Sequence, residues 1–251
     1  QAGERILEIY QCLDCEVEKK SDGSPVTQAD KQADLMIQQA LTALTPDIPV
    51  VSEESLEHSP FSMREQWRVF WLVDPLDGTK EFIERTDEFC VNIALIVDGE
   101  PVLGVIYGPV ADRMYSAYKG GQATRVQGTK CQQLRVNHQP GRPVKVTVSR
   151  RHGRRVDDFL KQLGGHELVL MGSALKACLI AEGQADVYPR FGPTSHWDTA
   201  ASQVIVEAAG GALVDAQLQP LRYWPTDDLL NPGFMVVGNL NFSWPKFPTP
   251  Q

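Results

Sequence analysis

No apolar run in the chain approaches the roughly 18 to 20 residues that a membrane span requires. The opening Gln1-Ala2-Gly3-Glu4-Arg5 lacks the pattern of a signal peptide, so the expectation is a cytoplasmic protein with no transmembrane segment. Basic residues are outnumbered, 24 Lys and Arg against 32 Asp and Glu, giving a formal charge of -8. A surface for a nucleic-acid polymer needs clustered cations to displace phosphate counterions, and that partner is excluded. A small phosphate ester is not, because an acidic pocket filled with divalent cations attracts an anion whatever the global charge. Cysteine is scarce and odd in number, at five. Cys12, Cys15, Cys90, Cys131 and Cys178 sit mostly among apolar residues, which fits reduced thiols better than a disulfide framework. Cys12 and Cys15 form a C-x-x-C spacing, but no strand precedes them as in a redox motif, and their expected role is structural. Internal repeats and low-complexity tracts are also absent.

What is present is the profile of an ordinary globular protein, with 42% apolar and 22% charged residues over 251 positions. Ile6, Ile9, Leu13 and Val17 recur on one face of a helix expected over residues 4–19, followed by a polar loop from Lys20 to Pro25. A second helix is expected over 28–44, with Ala33, Ile37, Ala40, Leu41 and Leu44 inward, Asp30 at its entrance and Pro46 beyond its end. Short apolar runs at 49–51, 69–73 and 91–97 read as strands. Asp98-Gly99 then makes a hairpin turn into a return strand at 102–107. After about residue 138 strands (144–148, 168–171, 186–188, 212–214) alternate with helices (156–163, 173–183, 198–209), which reads as a layered α/β half. The tail after Asn231 is punctuated by proline and reads as irregular.

The most informative stretch is Asp74-Pro75-Leu76-Asp77-Gly78-Thr79. Pro75 biases Asp74 toward an extended conformation, and Gly78 permits a tight turn into a helix beginning near Thr79. Two carboxylates thus converge at a strand-to-helix corner, beside the N–H groups of Gly78 and Thr79, which suit an anion. Asp77 could instead simply cap the helix and Asp74 serve the turn. Three further acidic sites, each at an element end, tip the balance toward a shared site: Glu53-Glu54 after a strand, Asp30 at one helix start and Asp198 at another.

The Asp74–Thr79 string, the Glu53-Glu54 pair and Trp197-Asp198-Thr199-Ala200 stand in the order and spacing of the inositol monophosphatase-like superfamily, which the chain resembles over nearly its whole length. Lys80-Glu81-Phe82-Ile83, Gly172-Ser173-Ala174-Leu175-Lys176 and Tyr188-Pro189-Arg190-Phe191-Gly192-Pro193-Thr194 are similar to its CysQ-type 3'(2'),5'-bisphosphate nucleotidase branch. Arg151 and Ala174 depart from that branch, which usually has Ser at both positions. The resemblance implies an α+β fold, the layered α-β-α-β-α sandwich of the sugar phosphatases, acting as a single catalytic unit. Within it, residues 1–137 form a metal-binding half and 138–251 a substrate-binding half.

The resemblance further implies two or three Mg2+ ions held by Glu53, Asp74, the Leu76 carbonyl, Asp77 and Asp198, all hard oxygen donors. Asp30 and Thr79 would orient and deprotonate the attacking water. Gly78 and Thr79 would hold the scissile phosphate, with Glu53, Leu76, Asp77 and Asp198 lining the same site. Ser173, Lys176 and Arg190 would take a second phosphate, with Arg150 and His152 less central and Glu54 in support. The implied substrate is a small phosphorylated nucleotide, adenosine 3',5'-bisphosphate or its sulfated analogue, with sensitivity to Li+. Bacterial members of the branch are thought to associate peripherally with the inner membrane, although no amphipathic anchor stands out here. The competing readings are an inositol monophosphatase or related sugar phosphatase and a catalytically silent metal-binding protein.

Overall fold

A computed structural model describes residues 1–12, 17–19 and 25–248. Helix α2 (Gln28–Leu44) begins where Thr27 Oγ1 accepts the Ala29 N–H at 3.1 Å and Asp30 Oδ2 accepts the Thr27 N–H at 2.7 Å, a reciprocal cap that satisfies free donors of the first turn. Its Ala29, Ala33, Ile37 and Leu41 recur every four residues and are buried. They pack with Ile6 of α1 (Ala2–Gln11) against Trp71 and Val73 of strand β4 (Val69–Asp77). Ala40 and Leu44, expected inward, face solvent, because the buried face runs through Ala29, Asp30, Ala33, Asp34, Ile37 and Leu41 and leaves them on its far side. The first helix is also shorter than its periodicity suggested. It ends at Gln11, and Val17 lies instead in β1 (Val17–Lys19), paired antiparallel with β2 (Pro25–Thr27). Leu13, Cys15 and the loop 20–24 lie outside the described residues; Cys12 is an exposed free thiol.

Strand β4 is the second of a seven-stranded sheet ordered β3-β4-β5-β6-β7-β8-β9. Its partners are β3 (Val50–Ser52), which is parallel to it, and β5 (Cys90–Val97), which is antiparallel. The hairpin to β6 (Glu100–Gly108) turns at Asp98 and Gly99, with φ of 52° and 72°, the left-handed pair that the Asp-Gly sequence predicts. Strands β7 (Arg113–Tyr118), β8 (Thr124–Gln127) and β9 (Lys130–Gln133) complete the sheet.

The second half alternates as expected. It comprises β10 (Val144–Val148), α5 (Arg154–Leu163), β11 (His166–Leu170), α6 (Leu175–Ala181), β12 (Val187–Arg190), α7 (Ala200–Ala208) and β13 (Ala212–Asp215). The tail is not all irregular. Phe234–Val237 forms β14, buried at all four positions between β12 and β13 in a five-stranded sheet ordered β11-β10-β12-β14-β13. A strand covered on both faces carries no polar alternation, so the short apolar run gave no periodic signal.

Helices α6 and α7 fill the space between the sheets. Ile180 and Ile205 pack with Phe70, Leu72 and Ile106 from one sheet and with Leu213, Phe234 and Val236 from the other. Helix α5 covers the far face of the smaller sheet through Val156, Phe159 and Leu160. The layers therefore run α-β-α-β-α. Among the described residues no helix is long and apolar enough to cross a membrane.

Candidate metal and phosphate site

The ladder between β3 and β4 pairs Ser52 with Val73, which carries the next residues, Glu53 and Asp74, to the same end of the sheet. There β4 breaks register with β5 between Asp74 and Asp77, so both carboxylates turn toward one cavity. Gly78 follows with φ of 96°, a left-handed conformation that only glycine adopts without strain, and the chain enters α4 (Thr79–Ile83). Asp198 arrives from the other side of the core, on the single turn His196–Asp198 that precedes α7. Its Oδ2 accepts the Ser195 N–H at 2.8 Å.

Carboxylate oxygens of Asp74, Asp77 and Asp198 lie within 4.8 Å of one another. Such crowding opposes ionisation. Burial, then the charges of Glu53, Asp77 and Asp198, raise Asp74 well above the usual carboxylate range. Burial, then Asp77 and Glu53, push Asp198 up to about 8. Asp77 is raised by burial but relieved by the nearby Lys176 ammonium, and it accepts the Ala174 N–H at 2.6 Å and the Asn92 amide at 3.1 Å. A cation among these oxygens would remove the repulsion at its source. The donors are all hard oxygens, so the arrangement could hold a metal ion of the Mg2+ or Ca2+ kind rather than a thiolate-seeking one.

Behind this trio sits a second arrangement. Thr79 Oγ1 lies 2.9 Å from Asp30 Oδ1 and 3.3 Å from the Leu76 carbonyl. Asp30 is buried, and its other oxygen accepts the Thr27 N–H and, at 2.6 Å, the Thr27 hydroxyl. Burial raises its carboxyl, partly countered by those bonds, so Asp30 is a stronger base than an ordinary aspartate.

The opposite wall is cationic. Lys176 is 4% exposed, donates to the Ser173 carbonyl at 2.6 Å and lies 5.1 Å from the centre of the Tyr188 ring. Arg190 donates through Nη2 to the Pro193 carbonyl at 3.0 Å, while its buried Nε has no hydrogen-bond partner among the described residues. Ser173 itself has φ of 49°.

Glu53, Asp74, Leu76, Asp77, Gly78, Thr79, Asp198, Ser173, Lys176, Arg190 and Arg150 all line one cavity of about 360 Å³. Asp30 reaches it through Thr79. Two candidates stand apart: Glu54 is outside the wall, and His152 lines a neighbouring cavity, its ring 3.1 Å from Asp157 and 3.0 Å from the Ser149 carbonyl. Sequence reasoning missed Asn92, Tyr188 and Thr27. An asparagine inside the apolar run 91–97 and the Thr27-x-x-Asp30 capping pattern were the available signals for the first and last.

A model of the inositol monophosphatase family matches residues 1–239. The chain belongs to that family. Within it, the chain is 48% identical over 237 residues to the 3'(2'),5'-bisphosphate nucleotidase CysQ of Escherichia coli (strain K12), covering 94% of each protein. It is 49% identical over 238 residues to the protein of the same name from Salmonella typhimurium, covering 94% of this chain and 95% of the other. The crystal structure of CysQ from Bacteroides thetaiotaomicron superimposes with a TM-score of 0.80 at 40% identity, over 95% of this chain and 93% of that one. The layered architecture of the inositol monophosphatase family is thus the architecture of this chain.

Proposed function

We propose that this protein is a Mg2+-dependent phosphomonoesterase that hydrolyses adenosine 3'(2'),5'-bisphosphate to AMP and phosphate. The carrying observation is one cavity with a crowded carboxylate trio on one wall and buried Lys176 with Arg190 on the other. A monophosphate needs only the first wall. A bisphosphate uses both, and the names of the relatives described above support that choice. Because residues of both halves line the cavity, the chain works as one catalytic unit.

Glu53, Asp74, Asp77, Asp198 and the Leu76 carbonyl would hold the Mg2+ ions. When bound, these ions neutralise the phosphate, lower the pKa of water and stabilise the leaving oxygen. The chain's own residues do the rest. Thr79 Oγ1 donates its one proton to Asp30 and keeps lone pairs free to accept from the attacking water. Removal of the water proton to Thr79, with transfer of the threonine proton to the buried Asp30 carboxylate, delivers hydroxide character at the right moment. Gly78 and Thr79 offer N–H groups to the scissile phosphate. Lys176, Ser173 and Arg190 hold the second phosphate and fix which ester bond faces the water.

The test is phosphate release from adenosine 3',5'-bisphosphate, inositol 1-phosphate and fructose 1,6-bisphosphate, each with Mg2+ and with chelator. The expected result is Mg2+-dependent turnover with the highest kcat/KM on the nucleotide. A higher kcat/KM on inositol 1-phosphate overturns the substrate assignment, and no turnover of any ester would make the protein a silent metal binder.

A further inference from the structure

Against both the Gly78 corner and the Gly172 loop stands Glu88, a residue that nothing in the motifs singles out. Its backbone is wedged between the two sides. A methyl group added at Gly78 would lie 3.1 Å from the Glu88 carbonyl oxygen, and one added at Gly172 would lie 2.8 Å from the same atom. The metal-side corner and the substrate-side loop therefore meet on this one peptide, each through a position with no room for a side chain. The turn that presents it is itself held. Arg85 and Asp87 have φ of 59° and 65°, Tyr10 donates to Asp87 Oδ1 at 2.8 Å, and the Arg85 guanidinium lies 4.5 Å from the centre of the Tyr10 ring.

The Glu88 side chain completes the link. Oε2 accepts the Gly172 N–H at 2.8 Å and also pairs with Arg150 Nη1, while Oε1 accepts from Arg150 Nη2 at 2.7 Å. A bidentate guanidinium pair of this kind fixes direction as well as distance. Both segments bound by Glu88 belong to the half that contributes the cationic wall. Beyond Gly172, the Ser173 carbonyl receives the Lys176 ammonium and the Ala174 N–H donates to Asp77, so the position of Gly172 sets where the cationic wall stands relative to the carboxylates. One residue past Arg150, Arg151 pairs with Glu84 and adds a second tie across the same mouth.

We propose that Glu88 is a positioning residue that sets the spacing between the phosphate-cleaving wall and the second-phosphate wall, and that Arg150 acts through Glu88 rather than on the substrate. Both terminal nitrogens of Arg150 are engaged by one carboxylate, so the guanidinium is oriented toward Glu88 before any ligand arrives. This inference rests on the bisphosphate reading of the site. The reading is tested by the wild-type preference among esters, whereas the inference is tested by variants of one enzyme on one substrate.

The experiment is a double-mutant cycle on Glu88→Ala and Arg150→Ala, with KM and kcat for adenosine 3',5'-bisphosphate and for inositol 1-phosphate. Misplacing the substrate loop should raise KM for the bisphosphate about tenfold in Glu88→Ala and change kcat much less. Arg150→Ala should do the same or less, and the double variant should match Glu88→Ala alone. The near-isosteric Glu88→Gln keeps an acceptor for the Gly172 amide, so it should recover most of the lost KM and remain informative should the alanine variant melt early. Multiplying losses in the double variant would mean that Arg150 touches the substrate directly. Equal kcat losses on both esters with KM unmoved would mean that Glu88 merely supports the fold. Either outcome overturns the proposal.

Discussion

Thr79 Oγ1 and Asp30 Oδ1 are 2.9 Å apart although 49 positions separate them in the chain. One closes the strand-to-helix corner of the metal side, and the other opens α2 on the far side of β4. In the proposed mechanism their contact makes a helix cap part of a proton path, because the Asp30 oxygen not bound by Thr27 is the one that Thr79 addresses.

Removing either partner should stop proton removal from the attacking water. Thr79→Ala and Asp30→Asn are each expected to lower kcat by roughly 10^2- to 10^4-fold, the range of general-base catalysis. The double variant should be little worse than either single one, since both belong to one path. Asp30→Asn should also weaken the α2 cap by about 1 kcal/mol. Thr79→Ala leaves that cap in place, so a lower melting temperature in the first variant alone separates the two roles.

Of the three clustered carboxylates, Asp74 is the most crowded and the least exposed to water, at 2%. Asp74→Asn should cost on the order of 10^3-fold or more in kcat at saturating Mg2+, as expected for loss of an electrostatic stabiliser. The metal-free variant should melt higher than the metal-free wild type, because a buried like charge has gone. Retention of more than a tenth of the wild-type kcat would remove Asp74 from the metal site.

The same crowding fixes a sign for the pH dependence of the metal-free protein. Asp74, Asp77 and Asp198 are all raised in the folded state by burial, Asp198 from the ordinary aspartate value of 3.8 to about 8. The folded state therefore holds protons that the unfolded chain has released, and the stability this contributes is complete below about pH 4 and is lost as pH rises through 8. Melting in chelator at pH 5, 7 and 9 should show a falling contribution across this window. Mg2+ binds only the ionised folded site, so the rise in melting temperature on its addition should grow with pH. A Mg2+ effect independent of pH would mean that the trio does not hold the ion.

Much of this site was legible from residue order because its acids sit at element ends, where Pro75 and Gly78 leave a readable trace. The hairpin at Asp98-Gly99 and the alternation after residue 138 were legible for the same reason. Three features left no such trace. Val17 continued a helical pattern into what is a strand, because pairing with Thr27 overrode the local period. Strands β7 to β9 alternate too weakly to stand out, and β14 is apolar on both faces. Glu88 stands in no motif, and only the approach of Gly78 and Gly172 to its peptide and its side-chain bonds to Gly172 and Arg150 bring it to notice. Lys176 was legible as a phosphate contact through the resemblance, but its burial against Tyr188 was not.

That burial changes how the second-phosphate wall should be tested. Lys176 lies close enough to Asp77 to lower its carboxyl, so removing the ammonium disturbs the metal corner as well as the substrate. Lys176→Met, which keeps most of the volume, is therefore expected to lower kcat/KM on adenosine 3',5'-bisphosphate and on inositol 1-phosphate alike. Arg190 is the cleaner probe. Its bond to the Pro193 carbonyl holds the guanidinium on the wall, and its charge stands behind burial, Asp77, Glu53 and the Ser195 bond among the influences on Asp198. Losing one charge-assisted phosphate contact should cost roughly 1.5 to 3 kcal/mol, or about 10- to 150-fold, seen chiefly as a higher KM for the bisphosphate. Inositol 1-phosphate, which carries no second phosphate, should lose far less. The ratio of the two kcat/KM values in Arg190→Ala against wild type is the informative quantity, and an unchanged ratio would leave the bisphosphate without its second anchor.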